Sequence, residues 1–407
     1  MKSILSRILS FAFIVFFACS EQPSNIADVQ PTVLLISLDG FWSGYFGRTQ
    51  TPNLDRIARE GVKARWLIPQ FPTKTFPNHY TIVTGLRPEV HGIVNNTIYD
   101  PHFDALFTLS DTGAVRDARW YGGEPLWVTA ELQGQKAATY FWPGSEAAIK
   151  GVRPTYGKAY VHTTPDSQRV EEVLGWFDLS HEKRPTFLTL YFSLLDDAGH
   201  RFGPDSSAML EVLPRADALI GYLVEGLETR GILDRINLIV VSDHGMVQTS
   251  NERVIFIDDY TDTSEVRIID WSPFVHLWPK PGKEEAVYRR MTGAHPRLQV
   301  YRTAETPDRL HERDHPRIAP IIALADEGWS LSTRSFRRSS SGGNHGYDNA
   351  LESMRAIFLA RGPAFQQGIV VDPVENIHIY ELICSVLNLK PAPNHGNLAA
   401  VKSLLRR

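Results

Sequence analysis

The stretch Val33-Leu34-Leu35-Ile36-Ser37-Leu38-Asp39-Gly40 decides how this chain folds. From Val33 to Leu38 it is apolar almost without interruption and does not alternate, the pattern of a strand covered on both faces, as in a parallel sheet. Asp39-Gly40 then breaks it with a carboxylate and a turn residue. Two further runs are built alike: Thr186 to Leu195, leading into Asp196, and Leu238 to Val241, followed by Asp243-His244. Between them Leu213, Ala216, Leu219, Ile220, Leu223, Val224 and Leu227 keep helical spacing up to Gly231. Upstream, Thr51-Pro52 followed by Leu54, Ile57 and Ala58, with Gly61 beyond, reads as a capped helix. A last strand over Ala356 to Leu359 precedes a helical pattern over 375–387. Strands alternating with helices predict an α/β fold with a doubly wound, mostly parallel sheet. Weaker periodicity over 251–340 predicts an inserted smaller lobe, which leaves 31–250 plus 341–407 as the core.

Composition narrows the function classes. With 43% hydrophobic and 22% charged residues the chain is globular, not disordered. Its 42 Lys and Arg against 46 Asp and Glu give a net charge of −4, and no basic block is present. No stable nucleic-acid partner is therefore expected, and any phosphate chemistry falls to a local site. Two cysteines exclude a disulfide scaffold. Lys2 and Arg7 precede the apolar run Ile8 to Ala18, which Cys19-Ser20 follows. A basic start and so short an apolar run read as an export signal and not a spanning helix, so 1–30 is expected to be signal and tether. Ala18-Cys19 loosely resembles a bacterial lipoprotein cleavage box, although Phe16 and Phe17 depart from it. Two outcomes stay open: a lipid anchor at Cys19 or ordinary cleavage that discards it. The expected location is the periplasm, free or membrane-anchored. Cys384, within the apolar stretch Ile377 to Leu387, is expected to be a buried core thiol. No pattern sets an oligomeric state.

The polar residues fall where an open α/β sheet builds sites, beyond the carboxyl ends of its strands. One Asp at a strand end is usually a turn former or helix cap. Three of them, Asp39, Asp196 and Asp243, each after an apolar run, with His200 and His244 close by, are a constellation. Carboxylate oxygen and neutral imidazole together suit zinc. Gly342-Gly343-Asn344-His345-Gly346 adds a third histidine in a loop that can bend close to a metal. Three Asp and three His suffice for two ions, and paired ions serve in-line displacement at phosphorus. A nucleophile is offered by Phe71-Pro72-Thr73-Lys74-Thr75-Phe76-Pro77-Asn78-His79-Tyr80, ahead of a helix begun by Pro77. A hydroxyl near a helix N-terminus, with a metal to depress its pKa, can attack as an alkoxide. Spacing alone does not separate Thr73 from Thr75. Lys74 reads as a phosphate clamp or, by default, as a solvated lysine.

Five stretches now resemble one family: Leu38-Asp39-Gly40, Thr73-Lys74-Thr75-Phe76-Pro77-Asn78-His79, His91-Gly92-Ile93-Val94-Asn95-Asn96, Trp142-Pro143-Gly144-Ser145 and Asp243-His244-Gly245-Met246. They are similar to the nucleotide pyrophosphatase/phosphodiesterases of the alkaline phosphatase superfamily, here in a bacterial member. The resemblance implies an alkaline phosphatase-like core and two Zn²⁺. It makes Thr75 the nucleophile and assigns one zinc to Asp39, Thr75, Asp243 and His244, the other to Asp196, His200 and His345. Asn96 matches the donor to a non-bridging phosphate oxygen, and Phe76 and Tyr191 match an aromatic pair that sandwiches a nucleobase. Where the family has Glu-Glu-Pro-Asp, this chain has Ser193-Leu194-Leu195-Asp196-Asp197; Asp196, four before His200, keeps the family spacing. His395, in a look-alike loop near the C-terminus, is expected to be structural.

The resemblance implies hydrolysis of nucleotide phosphodiester and phosphoanhydride bonds to nucleoside 5′-monophosphates through a phosphothreonyl intermediate. Charge agrees in kind: two Zn²⁺ and three carboxylates leave about +1, and a Thr75 alkoxide brings this to about zero, which suits a monoanionic diester. A sulfatase needs a modified Cys or Ser with Arg soon after, whereas Thr75 precedes Phe-Pro-Asn-His. A choline- or lipid-headgroup phosphodiesterase would use the same metal core, but Trp142-Pro143-Gly144-Ser145 resembles the nucleotide-cleaving members. A catalytically silent binding ectodomain would be expected to have lost a ligand or the nucleophile, and all are present.

Overall fold

The computed structural model describes residues 30–336 and 341–406; the expected signal and Cys19 lie outside the described residues. Eight strands form the central sheet: β1 Thr32–Leu38, β2 Val62–Ala64, β3 Ala137–Tyr140, β4 Tyr156–Lys158, β5 Phe187–Phe192, β6 Ile236–Val241, β7 Phe358–Arg361 and β8 Ile369–Val371. Their order across the sheet is β8-β2-β7-β6-β1-β5-β3-β4. β1 lies between β5 and β6 and is parallel to both, with Leu34 opposite Leu188 on one side and Leu238 on the other. Only β7 runs against the rest, antiparallel to β6 and β2. The sheet is thus mostly parallel.

Every residue of β1 is buried, as its unbroken apolar run required. Val33 and Leu35 enter one apolar cluster and Leu34, Ile36 and Leu38 the other, because successive side chains of a strand point to opposite faces. Helices cover both faces. Ile57 of α1 (Pro52–Glu60) joins Leu213, Ile220 and Leu227 of the long helix Ser207–Thr229 on one side. Ile82 and Val83 of α2 (Thr75–Thr84) join Ile379 and Ile383 of Ile379–Val386 on the other. Cys384 is buried there with a free thiol.

Three local expectations shift. The apolar run from Thr186 is strand only to Phe192, and α3 (Leu194–Phe202) begins two residues later. Asp196 therefore stands in the first turn of a helix, not at a strand end, and an apolar run cannot reveal that change of period because Leu195 is buried in either state. The second helix starts at Thr75, two residues before Pro77, so the threonine is its first residue. The late strand spans Phe358–Arg361 and is the antiparallel one.

Within 251–340 a four-stranded antiparallel sheet runs Val266–Ile269, Phe274–Pro279, Ile321–Ala325, Leu298–Arg302 in spatial order. Val275, Leu277 and Ile321 on one face pack with Val287 and Met291 of the helix Glu284–Met291. Phe274, Ile322 and Leu324, on the opposite face, join the apolar cluster of the main sheet. This small sheet is therefore joined through one of its faces to the apolar cluster of the main sheet.

Candidate active site

The three central strands deliver the three carboxylates to one place. Asp39 follows β1, Asp243 follows β6 by two residues, and Asp196 comes from α3 just after β5. Gly40, with φ +69, lets the chain turn there: a Cβ on it would lie 3.0 Å from the Asp196 Cα. His200 lies four residues after Asp196 on the same helix, with Nε2 3.5 Å from Asp196 Oδ2. His345 comes from the glycine loop. Gly342 and Gly343 press against α3 so closely that a Cβ would meet the His200 carbonyl oxygen at 2.1 Å and that of Gly199 at 2.6 Å. Only glycine permits that approach, and it sets His345 Nε2 3.1 Å from His200 Nε2 and 3.7 Å from Asp196 Oδ1.

These groups form overlapping sets whose nitrogen and oxygen atoms lie within 4.8 Å of one another: Asp196, His200 and His345; Asp39, Asp196 and His244; Asp39, His79 and Asp243. One oxygen of each carboxylate, Asp39 Oδ1, Asp196 Oδ1 and Asp243 Oδ2, is buried without a hydrogen-bond partner. Burial pushes the Asp39 carboxyl well above its ordinary range, and the neighbouring Asp243 and Asp196 push it further. Asp196 is also raised, first by burial. At Asp243 burial acts the same way, but His244 and His79 outweigh it and the group is lowered. Three acids crowded in a buried place with unpaired oxygens need positive charge.

Three of the four imidazoles are aimed alike. His200 Nδ1 donates to the Gly343 carbonyl at 3.0 Å, His244 Nδ1 to that of Gly245 at 2.9 Å, and His345 Nδ1 to that of Thr73 at 2.9 Å. A carbonyl only accepts, so Nδ1 carries the hydrogen in all three and each Nε2 turns a lone pair toward the carboxylates. Metal-ligating histidines are held in this way. The residues present fit a divalent metal pair.

Thr75 and Thr73 separate clearly. Thr73 is buried; its hydroxyl donates to the Tyr347 carbonyl at 2.8 Å and accepts from Gly346 N at 3.0 Å. Thr75 Oγ1 opens onto the cleft, 3.4 Å from His244 Nε2. Lys74 is neither clamp nor solvated. It is 5% exposed, and its ammonium donates to Asp270 Oδ2 at 3.3 Å and to the carbonyls of Trp271 and Ser272. It ties the loop ahead of Thr75 to the turn at 270–272. Asn96 Oδ1 accepts from Phe76 N at 3.0 Å, which orients the amide so that its NH₂ has no acceptor among the described residues. Asp197 is exposed and takes a hydrogen bond from Ser193, and His395 is exposed and accepts from Arg87 N, outside the candidate metal sets.

A cavity of about 250 Å³ leads from Asp39, Thr75 and Asp196 past Phe76, Phe141, Trp142 and Tyr160. Tyr191 reaches it but is not a free aromatic face. It is 7% exposed, its ring is set edge-on to His79, and its hydroxyl donates to Asp39 Oδ2 at 2.5 Å. On a sheet covered on both faces, a central-strand ring packs into the covering layer, as Tyr191 does. Tyr160, 43% exposed, presents the open ring on the cavity that Phe76 lines. Sequence reasoning passed over Tyr160, which stands in a polar stretch without periodicity.

The profile of the type I phosphodiesterase / nucleotide pyrophosphatase family matches residues 33–348. The venom phosphodiesterase of Naja atra is 41% identical over 387 residues, covering 93% of this chain and 46% of that protein. Ectonucleotide pyrophosphatase/phosphodiesterase family member 3 of Mus musculus is 38% identical over 386 residues, covering 92% and 44%. The chain spans about half the length of the curated relatives it matches. Among solved structures, murine ectonucleotide pyrophosphatase / phosphodiesterase 5, as an inactive threonine-to-alanine variant in complex with AMP, superposes with a TM-score of 0.89 at 38% identity, covering 93% of this chain and all of that one. The chain belongs to the type I phosphodiesterase / nucleotide pyrophosphatase family.

Proposed function

We propose that this family member is an exported enzyme that hydrolyses nucleotide phosphodiester and phosphoanhydride bonds, releasing nucleoside 5′-monophosphates. The observation that carries the proposal is the aim of the buried polar atoms: three Nε2 lone pairs and three unpaired carboxylate oxygens converge beside the Thr75 hydroxyl. Asp39, Thr75, Asp243 and His244 would hold one Zn²⁺, and Asp196, His200 and His345 the other. When bound, the ions neutralise the phosphate, make a hydroxyl acidic and stabilise the leaving oxygen.

The chain's own residues do the rest. Thr75, first in its helix, attacks phosphorus in line, losing its proton to solvent while the bond to the leaving alcohol or phosphate oxygen breaks, and becomes phosphothreonyl-nucleotide. Water then attacks phosphorus from the side the leaving group vacated, giving up a proton as the P–O bond to Thr75 breaks and the Thr75 oxygen is reprotonated. Two displacements retain configuration at phosphorus. The Asn96 amide, held by Phe76 N, donates to the phosphate oxygen on which charge builds. Phe76 and Tyr160 bracket the base, a reassignment from Tyr191, whose hydroxyl is engaged by Asp39. The solved neighbour with AMP, inactive as a threonine-to-alanine variant, supports both a nucleotide ligand and a threonine nucleophile.

Export to the periplasm, with or without a lipid anchor at Cys19, rests on the leader residues and on the venom and ecto- names of the relatives. Those relatives are animal proteins, so the bacterial setting rests on the leader alone. Among the described residues no helix is long and apolar enough to cross a membrane. The division into a core of 31–250 plus 341–407 and a lobe of 251–340 is likewise proposed, with one catalytic unit spanning both.

The deciding experiment compares the nitrophenyl ester of thymidine 5′-monophosphate with nitrophenyl phosphate and nitrophenyl phosphocholine. The first is expected to have the highest kcat/KM. If the phosphocholine ester leads, the enzyme is a headgroup phosphodiesterase on the same metal core; if nitrophenyl phosphate leads, it is a monoesterase.

A further inference from the structure

One buried imidazole in the cluster is turned the opposite way. His79, on the second turn of α2, is fully buried, and its Nδ1 lies 2.9 Å from the Thr75 carbonyl and 3.4 Å from Asp243 Oδ2. The carbonyl can only accept, so Nδ1 carries the hydrogen, on the side facing Asp243. Nε2 points away from the site, 2.7 Å from Ser37 Oγ, where the hydroxyl donates to it. His200, His244 and His345 offer lone pairs to the centre; His79 offers a hydrogen. It is thus unsuited to be a metal ligand, although it lies within ligand distance of Asp39 and Asp243.

The ring is clamped by its surroundings. Trp142 packs edge-on at 5.1 Å and Tyr191 at 5.3 Å, while Trp142 Nε1 donates to the His79 carbonyl at 3.1 Å. Ser37 belongs to β1, two residues before Asp39. The contacts therefore run Ser37 to His79 to Thr75 and Asp243, linking the central strand to the nucleophile's backbone and to a carboxylate. Asp243 Oδ2 keeps its lone pairs, because the 3.4 Å approach is too long and ill-aimed to be a hydrogen bond.

We propose that His79 is a positioning residue whose Nδ1 hydrogen fixes the Thr75 carbonyl, and so the direction of the Thr75 hydroxyl, while its electropositive N–H edge, 3.4 Å from Asp243 Oδ2, faces that carboxylate without a hydrogen bond, with Ser37 holding the ring in the required tautomer. The inference rests on the two-zinc reading above. Groups behind ligands typically alter metal affinity or activity about 10- to 100-fold when removed.

The test uses two substitutions that separate the ring nitrogens. His79→Asn places an amide NH₂ near the Nδ1 position, and His79→Gln near the Nε2 position. With the full-length protein, kcat and KM are measured on the thymidine ester, and zinc retention is measured by competition with a chromogenic chelator. The expected result is a fall in kcat of about 10- to 100-fold with little change in KM for H79Q, earlier zinc release, and substantial recovery of both in H79N. Equal losses in the two variants, or wild-type kcat and zinc retention in H79Q, overturn the proposal. Should H79Q not fold, Ser37→Ala decides: it leaves Nε2 without its donor, and unchanged kcat and zinc retention there overturn the proposal, whereas a partial loss restored by Ser37→Thr supports it. A wild-type protein that holds no zinc and cleaves no diester would instead refute the functional reading itself.

Discussion

Tyr191→Phe separates two roles that the sequence ran together. The tyrosine hydroxyl, 2.5 Å from Asp39 Oδ2, is the one hydrogen bond received by that carboxylate among the described residues. Burial, Asp243 and Asp196 all raise the Asp39 carboxyl, and the Tyr191 hydroxyl is the neighbour that lowers it. Deleting the hydroxyl removes a bond to a charged group, worth about 1.5 to 3 kcal/mol, and so lets protons compete better with metal. The expected cost is about 10- to 100-fold in zinc retention, with zinc release moving to higher pH. KM for the thymidine ester on the fully loaded enzyme should hardly change, because the buried ring contributes no open face. Tyr160→Ala should do the reverse. Loss of stacking on one base costs about 1 to 3 kcal/mol, so KM for the thymidine ester rises several-fold to about 100-fold while zinc retention stays as it was. Chelator competition and steady-state kinetics on both variants read the two effects independently. A Tyr191→Phe enzyme that holds zinc like wild type yet shows the higher KM would refute the reasoning and return Tyr191 to the base.

Four further outcomes follow from the geometry. Thr75→Ala should keep its zinc and lose turnover, since each metal retains several other ligands; elemental analysis beside a kinetic assay checks this. Asn96→Ala should cost about 10² to 10³ in kcat, the usual effect of losing one donor to a developing oxyanion, and near wild-type turnover removes it from that role. Lys74→Met should destabilise by about 3 to 5 kcal/mol, because it strands Asp270, 12% exposed, without its ion pair, and the urea midpoint reports it. His91 is fully buried, with Nδ1 accepting from Ile93 N, so it stays neutral and its folded pKa is depressed to about 3, chiefly by burial. A depressed histidine gives stability that is present above pH 6.5 and lost as pH falls, here by about 1.4 kcal/mol per unit. His91→Gln should flatten that decline between pH 6.5 and 5 in urea titrations; an unchanged slope counts against it.

Much of this site could be read from the chain because strand physics and site chemistry meet at the same residues. The run Val33 to Leu38 had to be buried on both faces, and a parallel strand buried in that way ends where ligands bind, so Asp39 was placed by hydrophobicity alone. Asp243 followed by the same logic. What stayed hidden depends on partners distant in sequence. Lys74 looks solvated until Asp270, 196 residues away, reaches it, and Thr73 matches Thr75 until Tyr347 and Gly346 claim its hydroxyl. Tyr191 was ambiguous in the sequence because an aromatic next to a site has two uses, a face or a hydroxyl, and here the hydroxyl is engaged by Asp39. Strand periodicity could have discriminated: Tyr191 lies in β5, opposite Ser37 of β1, in a run buried at every position. A residue so placed can send its tip into the site but cannot expose its ring. The same test picks out Tyr160, which lies beyond β4 in a stretch with no such cover and so keeps its ring exposed on the cavity.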